Sequence, residues 1–371
     1  MQNRKMQLAM AALFCAFIAA FALAYVFLPK QSFSENEKRV LAGFPEFSAA
    51  DVLDGSFEAG IEDWMSDHVP GRDLLVGLNA QYEQLSGRNG LNGVIRVGKD
   101  RLYAAAEEMD AADVLRKCER IRSFAEKTGL PTDVMLIPTA GYIYEDALPM
   151  HAAYPYGALA ELVEENLGGA ARLIWPEERF RSLEGAQLYY NTDHHLTSRG
   201  AYEACRMYVQ ALGMDAPAPE DYDVEAFDGF YGSMYSKSGL WNTPPDTIEI
   251  WRSRALGDVT VRFDDREPAD SLFFPEHLQE MDKYPVFLDG NHGLTVIETE
   301  NDGENLLMIR DSFGHCFGTF AADSFHSVTL VDLRYCRKPL EDLIAEMEID
   351  RVLVLYGVDT FLTDSNFAWL R

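Results

Sequence analysis

Five short apolar runs, spaced by helical patterns, restrict the fold of this chain more than any other feature. They are Asp133-Val-Met-Leu-Ile-Pro138, Arg172-Leu-Ile-Trp175, Asn305–Ile309, Val328–Val331 and Val352–Leu355. Each is too short for a buried helix, and none alternates apolar with polar residues as a half-exposed strand would. Such strands must be covered on both faces, which is the condition of a parallel sheet flanked by helices. The helices are legible between them. Asp110 to Lys127 places Val114, Leu115, Cys118, Ile121 and Phe124 at helical spacing, and Thr197 to Leu212 does the same with Ala201, Cys205, Tyr208, Val209 and Leu212. Shorter helical stretches are expected at Glu161–Leu167, 314–322 and 338–346. The fold class that follows is α/β, a three-layer α/β/α sandwich with a central parallel sheet. With 371 residues, 47% of them hydrophobic, the chain can build such a core. Residues about 217 to 290 interrupt the alternation with a polar, aromatic-rich insertion, and no internal repeat is present.

A second constraint lies at the N-terminus. Arg4 and Lys5 precede an uncharged stretch from Leu8 to Leu28, closed by Pro29 and Lys30. Its 21 residues span roughly 30 Å as a helix, the thickness of a bilayer core. A transmembrane signal anchor over residues 1–30 is expected, with the basic residues inside and the body outside the membrane. Small-x-small triplets at Ala20–Ala22 and Ala22–Ala24 keep cleavage and secretion open. Residues 31–105 then read as a polar connector and helical lead-in, with Trp64 and Asp67-His68 near a Pro70-Gly71 break and a short strand and turn at Asn92–Gly98. The catalytic body is expected to occupy 106–371.

Charge and cysteine content exclude several functions. Sixty acidic against 32 basic residues give a net charge of −28, which opposes binding to nucleic acid and docking on an anionic lipid surface. Outside the anchor, which holds Cys15, the cysteines Cys118, Cys205, Cys316 and Cys336 form no close pair. Neither a disulfide scaffold nor a zinc site is expected, and no metal or cofactor is called for.

Two segments carry residues suited to chemistry. In Tyr189-Tyr-Asn-Thr-Asp-His-His-Leu-Thr-Ser-Arg-Gly-Ala-Tyr202, Asp193, His194 and His195 lie on a loop, and Thr197 or Ser198 can cap the helix that follows. A carboxylate two residues before an imidazole can turn back and fix its tautomer, as an acyl-transfer base requires. In Leu306-Leu-Met-Ile-Arg-Asp-Ser-Phe-Gly-His315, an apolar strand ends at Ser312 in a tight turn containing Gly314. Parallel sheets expose their sites at the carboxyl ends of strands, and N–H groups opening the next helix are ready oxyanion donors. Taken singly, Asp-His-His also suits a structural loop or a metal cluster, and Ser312 a helix cap. Their co-occurrence in one α/β body favours the joint reading.

The segment Thr192-Asp-His-His195 followed by Thr197-Ser-Arg-Gly-Ala-Tyr202 resembles the DHHW-motif proteins, relatives of the alginate O-acetyltransferase group with a permuted SGNH (GDSL-type) hydrolase fold. Ser34–Ala42, Phe230–Ser238, Gly290-Asn-His292 and Val331–Tyr335 extend the likeness through most of the chain. The resemblance implies a Ser312–His195–Asp193 triad in which the Asp-x-His pair precedes the serine and His195, rather than His194, is the base. It implies transfer of an acetyl group to a hydroxyl of an envelope or secreted polysaccharide, with a multi-pass membrane O-acyltransferase as donor. Two departures stand out. Leu196 replaces the tryptophan after Asp-His-His, and Arg310-Asp311-Ser312 replaces Gly-Asp-Ser, so Asn291 becomes a candidate for the missing oxyanion donor beside Gly314 and His194. Tyr231, Tyr235 and Trp241 of the insertion are candidate sugar platforms, although core packing suits each of them as well. An esterase of the same fold and a non-catalytic polysaccharide-binding protein are the rival expectations. A metal-dependent DHH phosphoesterase would need further aspartates at strand ends, as in Asp-x-Asp, and a cytoplasmic location, and neither is expected here.

Overall fold

The computed structural model describes residues 2–88, 92–148, 153–183, 185–264 and 266–370. They form two compact units, Met1–Leu91 with Ser236–Asn242, and Asn92–Tyr235 with Thr243–Arg371. Residues 89–91 of the expected lead-in lie outside the described residues.

In the first unit, α1 (Gln2–Phe27) is exposed along its apolar length, and from Arg4 to Phe27 it is long and apolar enough to cross a membrane. A two-stranded ladder, β1 (Phe33–Ser34) with β2 (Arg39–Val40), is followed by α2 (Ala49–Asp54), α3 (Ser56–Asp67) and α4 (Arg72–Leu85). The end of α1 is tied to α3. The Tyr25 hydroxyl donates to the Met65 carbonyl at 3.1 Å, and the Tyr25 ring meets Trp64 edge-on. Asp67 closes the unit by accepting from the Arg39 guanidinium and, at 2.8 Å, from the Ala42 N–H.

The second unit begins with a hairpin, β3 (Val94–Val97) and β4 (Arg101–Ala104). Helix α5 (Ala111–Thr128) starts where the Asp110 side chain accepts from the Ala112 N–H, and ends at left-handed Gly129. Then follow β5 (Thr132–Ile137), α6 (Ala140–Ile143), α7 (Tyr156–Leu167), β6 (Arg172–Ile174), α8 (Glu177–Ser182) and α9 (Ser198–Ala211). The insertion supplies a long hairpin, β7 (Tyr222–Phe230) and β8 (Asp246–Ser253), with α10 (Ser233–Ser238) between its strands, and then β9 (Val259–Phe263). The chain ends with β10 (Leu294–Thr299), β11 (Asn305–Arg310), α11 (Phe313–Ala321), β12 (Ser327–Val331), α12 (Leu340–Glu346), β13 (Arg351–Gly357) and α13 (Val358–Thr363).

Seven strands make one sheet in the order β6-β5-β13-β11-β12-β10-β9. The first five are parallel, as their apolar composition requires, and each of the five expected runs is one of them. Crossovers between parallel strands are right-handed, so their direction fixes the face each helix covers. The connections β5-α7-β6 and β12-α12-β13 run toward the β6 edge and put α7 and α12 on one face. The connection β11-α11-β12 runs the other way and puts α11 on the opposite face, where it packs with α9. Helix α5 packs on α7 and pairs Lys127 with Glu341 of α12, which completes the first helical layer. The architecture is thus the three-layer sandwich that the alternation implied. It differs at one edge, where β10 and β9 are antiparallel. Residues Thr260 and Arg262 of β9 face solvent while Val261 is buried, an alternation that a one-sided edge strand permits and a central parallel strand does not.

The centre of the sheet is apolar. Leu306, Leu307, Met308 and Ile309 of β11 are fully buried, each worth roughly 1.5–3 kcal/mol of apolar transfer. All nine residues of α11 are buried as well.

Candidate active site

The turn after β11 is built by Asp311 rather than by Ser312. One carboxylate oxygen of Asp311 accepts from the Phe313 N–H at 3.0 Å and caps α11, while the other accepts from the Gly357 N–H at 2.8 Å and ties the turn to the end of β13. Burial pushes the Asp311 carboxyl up, against these hydrogen bonds. Ser312 makes no side-chain cap bond, so its hydroxyl is free to turn elsewhere. The Gly314 N–H bonds the Asp311 carbonyl and the His315 N–H bonds the Ser312 carbonyl. Among the described residues, the Ser312 N–H has no acceptor.

The second segment is a tight loop closed at its base, where Tyr190 N–H bonds the His195 carbonyl and Thr197 N–H bonds the Leu188 carbonyl. Thr197 then caps α9 by accepting from the Gly200 N–H at 3.2 Å. The loop is held from outside by Asp246, the first residue of β8. This buried carboxylate accepts from the Asn191 N–H (2.8 Å), the Thr192 N–H (2.7 Å) and the Thr192 hydroxyl (2.6 Å). Burial raises the Asp246 carboxyl, and the Asp193 charge adds to that rise.

These two pieces bring Asp193, His195 and Ser312 into one hydrogen-bonded chain. Asp193 Oδ1 lies 2.5 Å from His195 Nδ1 and accepts the His195 N–H at 2.9 Å, so the carboxylate turns back on its own loop as the spacing predicts. His195 Nε2 lies 2.7 Å from Ser312 Oγ. With Nδ1 facing a carboxylate, the neutral ring carries its proton there and presents Nε2 as acceptor. Asp193 and His195 are 4% and 6% exposed, so the pair works at low dielectric. Burial alone would raise the Asp193 carboxyl. The His195 and His194 charges, the His195 hydrogen bond and the Ser233 N–H outweigh it and hold it well below the usual carboxylate range.

The sequence motif Phe230–Ser238 finds its purpose here. The Ser233 N–H donates to Asp193 Oδ2 at 2.6 Å and the Gly232 N–H to the Thr192 hydroxyl at 3.1 Å. Gly232 lies so close that a Cβ there would sit 2.1 Å from Asp193 Cβ, which explains the glycine without any special backbone angle. His194 Nδ1 lies 2.7 Å from Ser233 Oγ, and its ring centroid is 3.9 Å from that of His195.

The other expected residues fall in different places. Asn291 is exposed and makes no hydrogen bond to the Asp193–His195–Ser312 chain. Gly314 lets Arg310 pass, since a Cβ would lie 2.7–2.9 Å from the arginine stem. Tyr235 is 5% exposed and contributes its N–H to the Thr192 carbonyl, while half-buried Tyr231 packs on it at 4.4 Å. Trp241 belongs to the first unit, against Gly77 of α4. Arg310 is 1% exposed and its two terminal nitrogens are held by His315 Nε2 (2.7 Å), Asp332 (3.3 Å) and the His292 carbonyl (3.3 Å). An arginine can only donate, so His315 accepts through Nε2 and is neutral. Burial and the Arg310 charge keep its pKa well below the usual range.

A cavity beside the loop is lined by Ile137 at the end of β5, Thr139 after it, Phe313 after β11, Val358 and Thr360 after β13, His194, and Leu102–Ala104 of β4. The members that the central sheet contributes lie at the carboxyl ends of its strands, the position expected of a site in a parallel sheet. Donor atoms of Asp193, His194 and His195 lie within 4.8 Å of one another, as do those of Glu276, His277 and Asp289, so both sets could hold a metal ion. In the first set both ring nitrogens of His195 already face protein partners.

Comparison with known proteins agrees with the fold. The profile described as DHHW protein matches residues 37–116 and 165–331. A crystal structure of a DHHW family protein from Eubacterium siraeum DSM 15702 matches at TM-score 0.65 and 22% identity, covering 76% of this chain and 95% of that one. The structure of Bacillus cereus PatB1 matches at TM-score 0.62 and 17% identity, covering 74% and 98%. PatB1 with a sulfonyl adduct matches at 0.64 and 18%, with the same coverage. No functionally curated protein matches the sequence.

Proposed function

The chain belongs to the DHHW family, and on that basis we propose that it is a membrane-anchored, extracytoplasmic O-acetyltransferase that acylates a polysaccharide through Ser312. The observation that carries this reading is the unbroken chain Asp193–His195–Ser312, with links of 2.5 and 2.7 Å, at the carboxyl end of the central strand.

Ser312 Oγ attacks the acetyl carbonyl of a donor ester while its proton passes to His195 Nε2. The tetrahedral oxyanion is met by the Ser312 N–H, the donor at this turn without an acceptor of its own. Asp193, kept ionised by its neighbours, stabilises the imidazolium. His195 returns the proton to the departing alcohol, leaving acetyl-Ser312. A sugar hydroxyl then attacks the acyl carbonyl, gives its proton to His195, and leaves as the O-acetyl sugar when the proton returns to Ser312. General-base and oxyanion contributions of this kind are each worth roughly 10²- to 10⁴-fold. Helix α1 serves as the anchor, with Arg4 and Lys5 on the inner side, and holds the body beside a multi-pass acyltransferase that supplies the acetyl group.

The test uses the full chain in detergent with an activated acetyl ester, with and without an acetyl-accepting oligosaccharide. Ser312→Ala and His195→Ala are each expected to lower turnover by at least about 10³-fold. A sulfonyl fluoride should label Ser312, forming a sulfonate ester as fluoride leaves. Ester turnover that persists in Ser312→Ala overturns the serine mechanism. Hydrolysis without transfer to any oligosaccharide assigns the chain to the esterases instead, and neither turnover nor labelling assigns it to binding.

A further inference from the structure

The insertion sends one more side chain to the centre of this site. Tyr284 opens a turn at Tyr284–Val286, held by the Phe287 N–H on its carbonyl and by the Lys283 ammonium on the carbonyls of Leu278 and Glu280. Its ring lies face to face with the imidazole of His195, with centroids 3.9 Å apart and planes 9° from parallel. Its hydroxyl donates to the Ser312 carbonyl at 3.3 Å. One residue thus touches both the base and the turn that carries the nucleophile.

Of the aromatic contacts around the site, this one is the nearest to parallel. His194 meets His195 at 37° and His315 meets Tyr284 at 45°, while Phe313 meets His195 at 60° and Phe287 meets Tyr284 at 67°. A parallel stack suits a ring that becomes cationic, because the positive imidazolium then faces the negative π surface. The residue after Asp-His-His cannot serve this purpose. Leu196 is 3% exposed and points its side chain at Gly200 in the first turn of α9.

We infer that Tyr284 is a positioning residue for the acyl-transfer reaction, which holds the His195 imidazole toward Ser312 and stabilises its cationic form through the stacked ring face. The inference rests on the serine mechanism proposed above. The ring face, not the hydroxyl, supplies the effect, so Tyr284→Phe should turn over acetyl ester within about twofold of the parent. Tyr284→Leu keeps an apolar cover without a π face and should lose about five- to tenfold in kcat, with KM unchanged.

The decisive experiment replaces Tyr284 in the full chain with phenylalanines carrying one, three and five ring fluorines. Each fluorine weakens the π face with little change of shape, so the fold persists even where the leucine variant is lost. Both kcat and the rate of Ser312 labelling by a sulfonyl fluoride should fall stepwise along the series while KM stays level. A flat series overturns the inference, as does a loss in Tyr284→Phe equal to that in Tyr284→Leu, or a loss confined to KM. Ser312→Ala separates the two claims. If it keeps activity, the serine mechanism fails. If it is dead and the fluorine series is flat, only the role of Tyr284 fails.

Discussion

Replacing Gly232 with alanine tests the site through a residue that performs no chemistry. The added Cβ would lie 2.1 Å from Asp193 Cβ, 2.5 Å from Asp193 Oδ2 and 2.6 Å from Asp193 Cα. Carbon atoms in contact prefer roughly 3.5–4.0 Å, so the two segments must separate by about 1.5 Å. Because Cα is among the crowded atoms, no rotamer change relieves the clash, and either the catalytic loop or the Gly232 turn has to move. Movement breaks the 2.6 Å bond from the Ser233 N–H to Asp193 and shifts the carboxylate that orients His195. A misplacement near 1 Å costs about 10²-fold, and complete loss of the orienting carboxylate about 10⁴-fold. The expected fall in kcat for acetyl-ester turnover therefore lies between those limits. Overpacking should cost about 1–3 kcal/mol of stability, or roughly 2–4 °C of Tm per kcal/mol for a domain of this size. A double variant makes the reasoning specific. If the loss acts through Asp193, Gly232→Ala with Asp193→Ala should be no slower than Asp193→Ala alone. A Gly232→Ala protein with parental turnover and melting temperature would refute the close approach, and additive losses in the double variant would refute the route through Asp193.

Asp246→Asn puts an amide N–H₂ where a carboxylate now faces the Asn191 and Thr192 donors. Leaving a buried donor unpaired costs about 1–3 kcal/mol, so both Tm and acetyl-ester turnover should fall, and a variant equal to the parent in both would remove Asp246 from the loop's support. Asp67 in the first unit is pulled down to about 2, chiefly by its hydrogen bond from Arg39. Its folded value lies below the unfolded value of about 3.9, so its stabilisation is complete above pH ~4 and is lost as the pH falls through about 2. In an acid titration followed by tryptophan fluorescence, Asp67→Asn should flatten the first unit's transition in that window. An unchanged transition would show that the Asp67–Arg39 pair contributes nothing there.

How much of this was legible in the sequence follows from where each residue lies. The five parallel strands were readable because both of their faces are covered, which leaves wholly apolar runs such as Leu306–Ile309. Strand β9 was not, because solvent on one face allows Thr260 and Arg262 among its apolar residues. The pairing of Asp193 with His195 could be read because it is local, a turn across two residues, and Ser312 because it ends a central strand. Residues that act only through folding gave no such signal. Tyr284 looks in sequence like any other tyrosine of an aromatic-rich stretch, and Tyr235, a more obvious candidate for substrate contact, is buried. The stretch from about 217 to 290 read as an insertion into a catalytic body, which understates it. Gly232 and Ser233 grip Asp193, Asp246 grips the loop from Asn191 to Thr192, and Tyr284 covers His195. In the proposed mechanism β11 leads to the nucleophile and the loop before α9 carries the base, and residues of the insertion set their orientation. Specificity within this architecture can therefore change through the insertion while the Asp-x-His and strand–Ser signals stay as they are. For that reason the motif alone points to the proposed chemistry more directly than to a substrate.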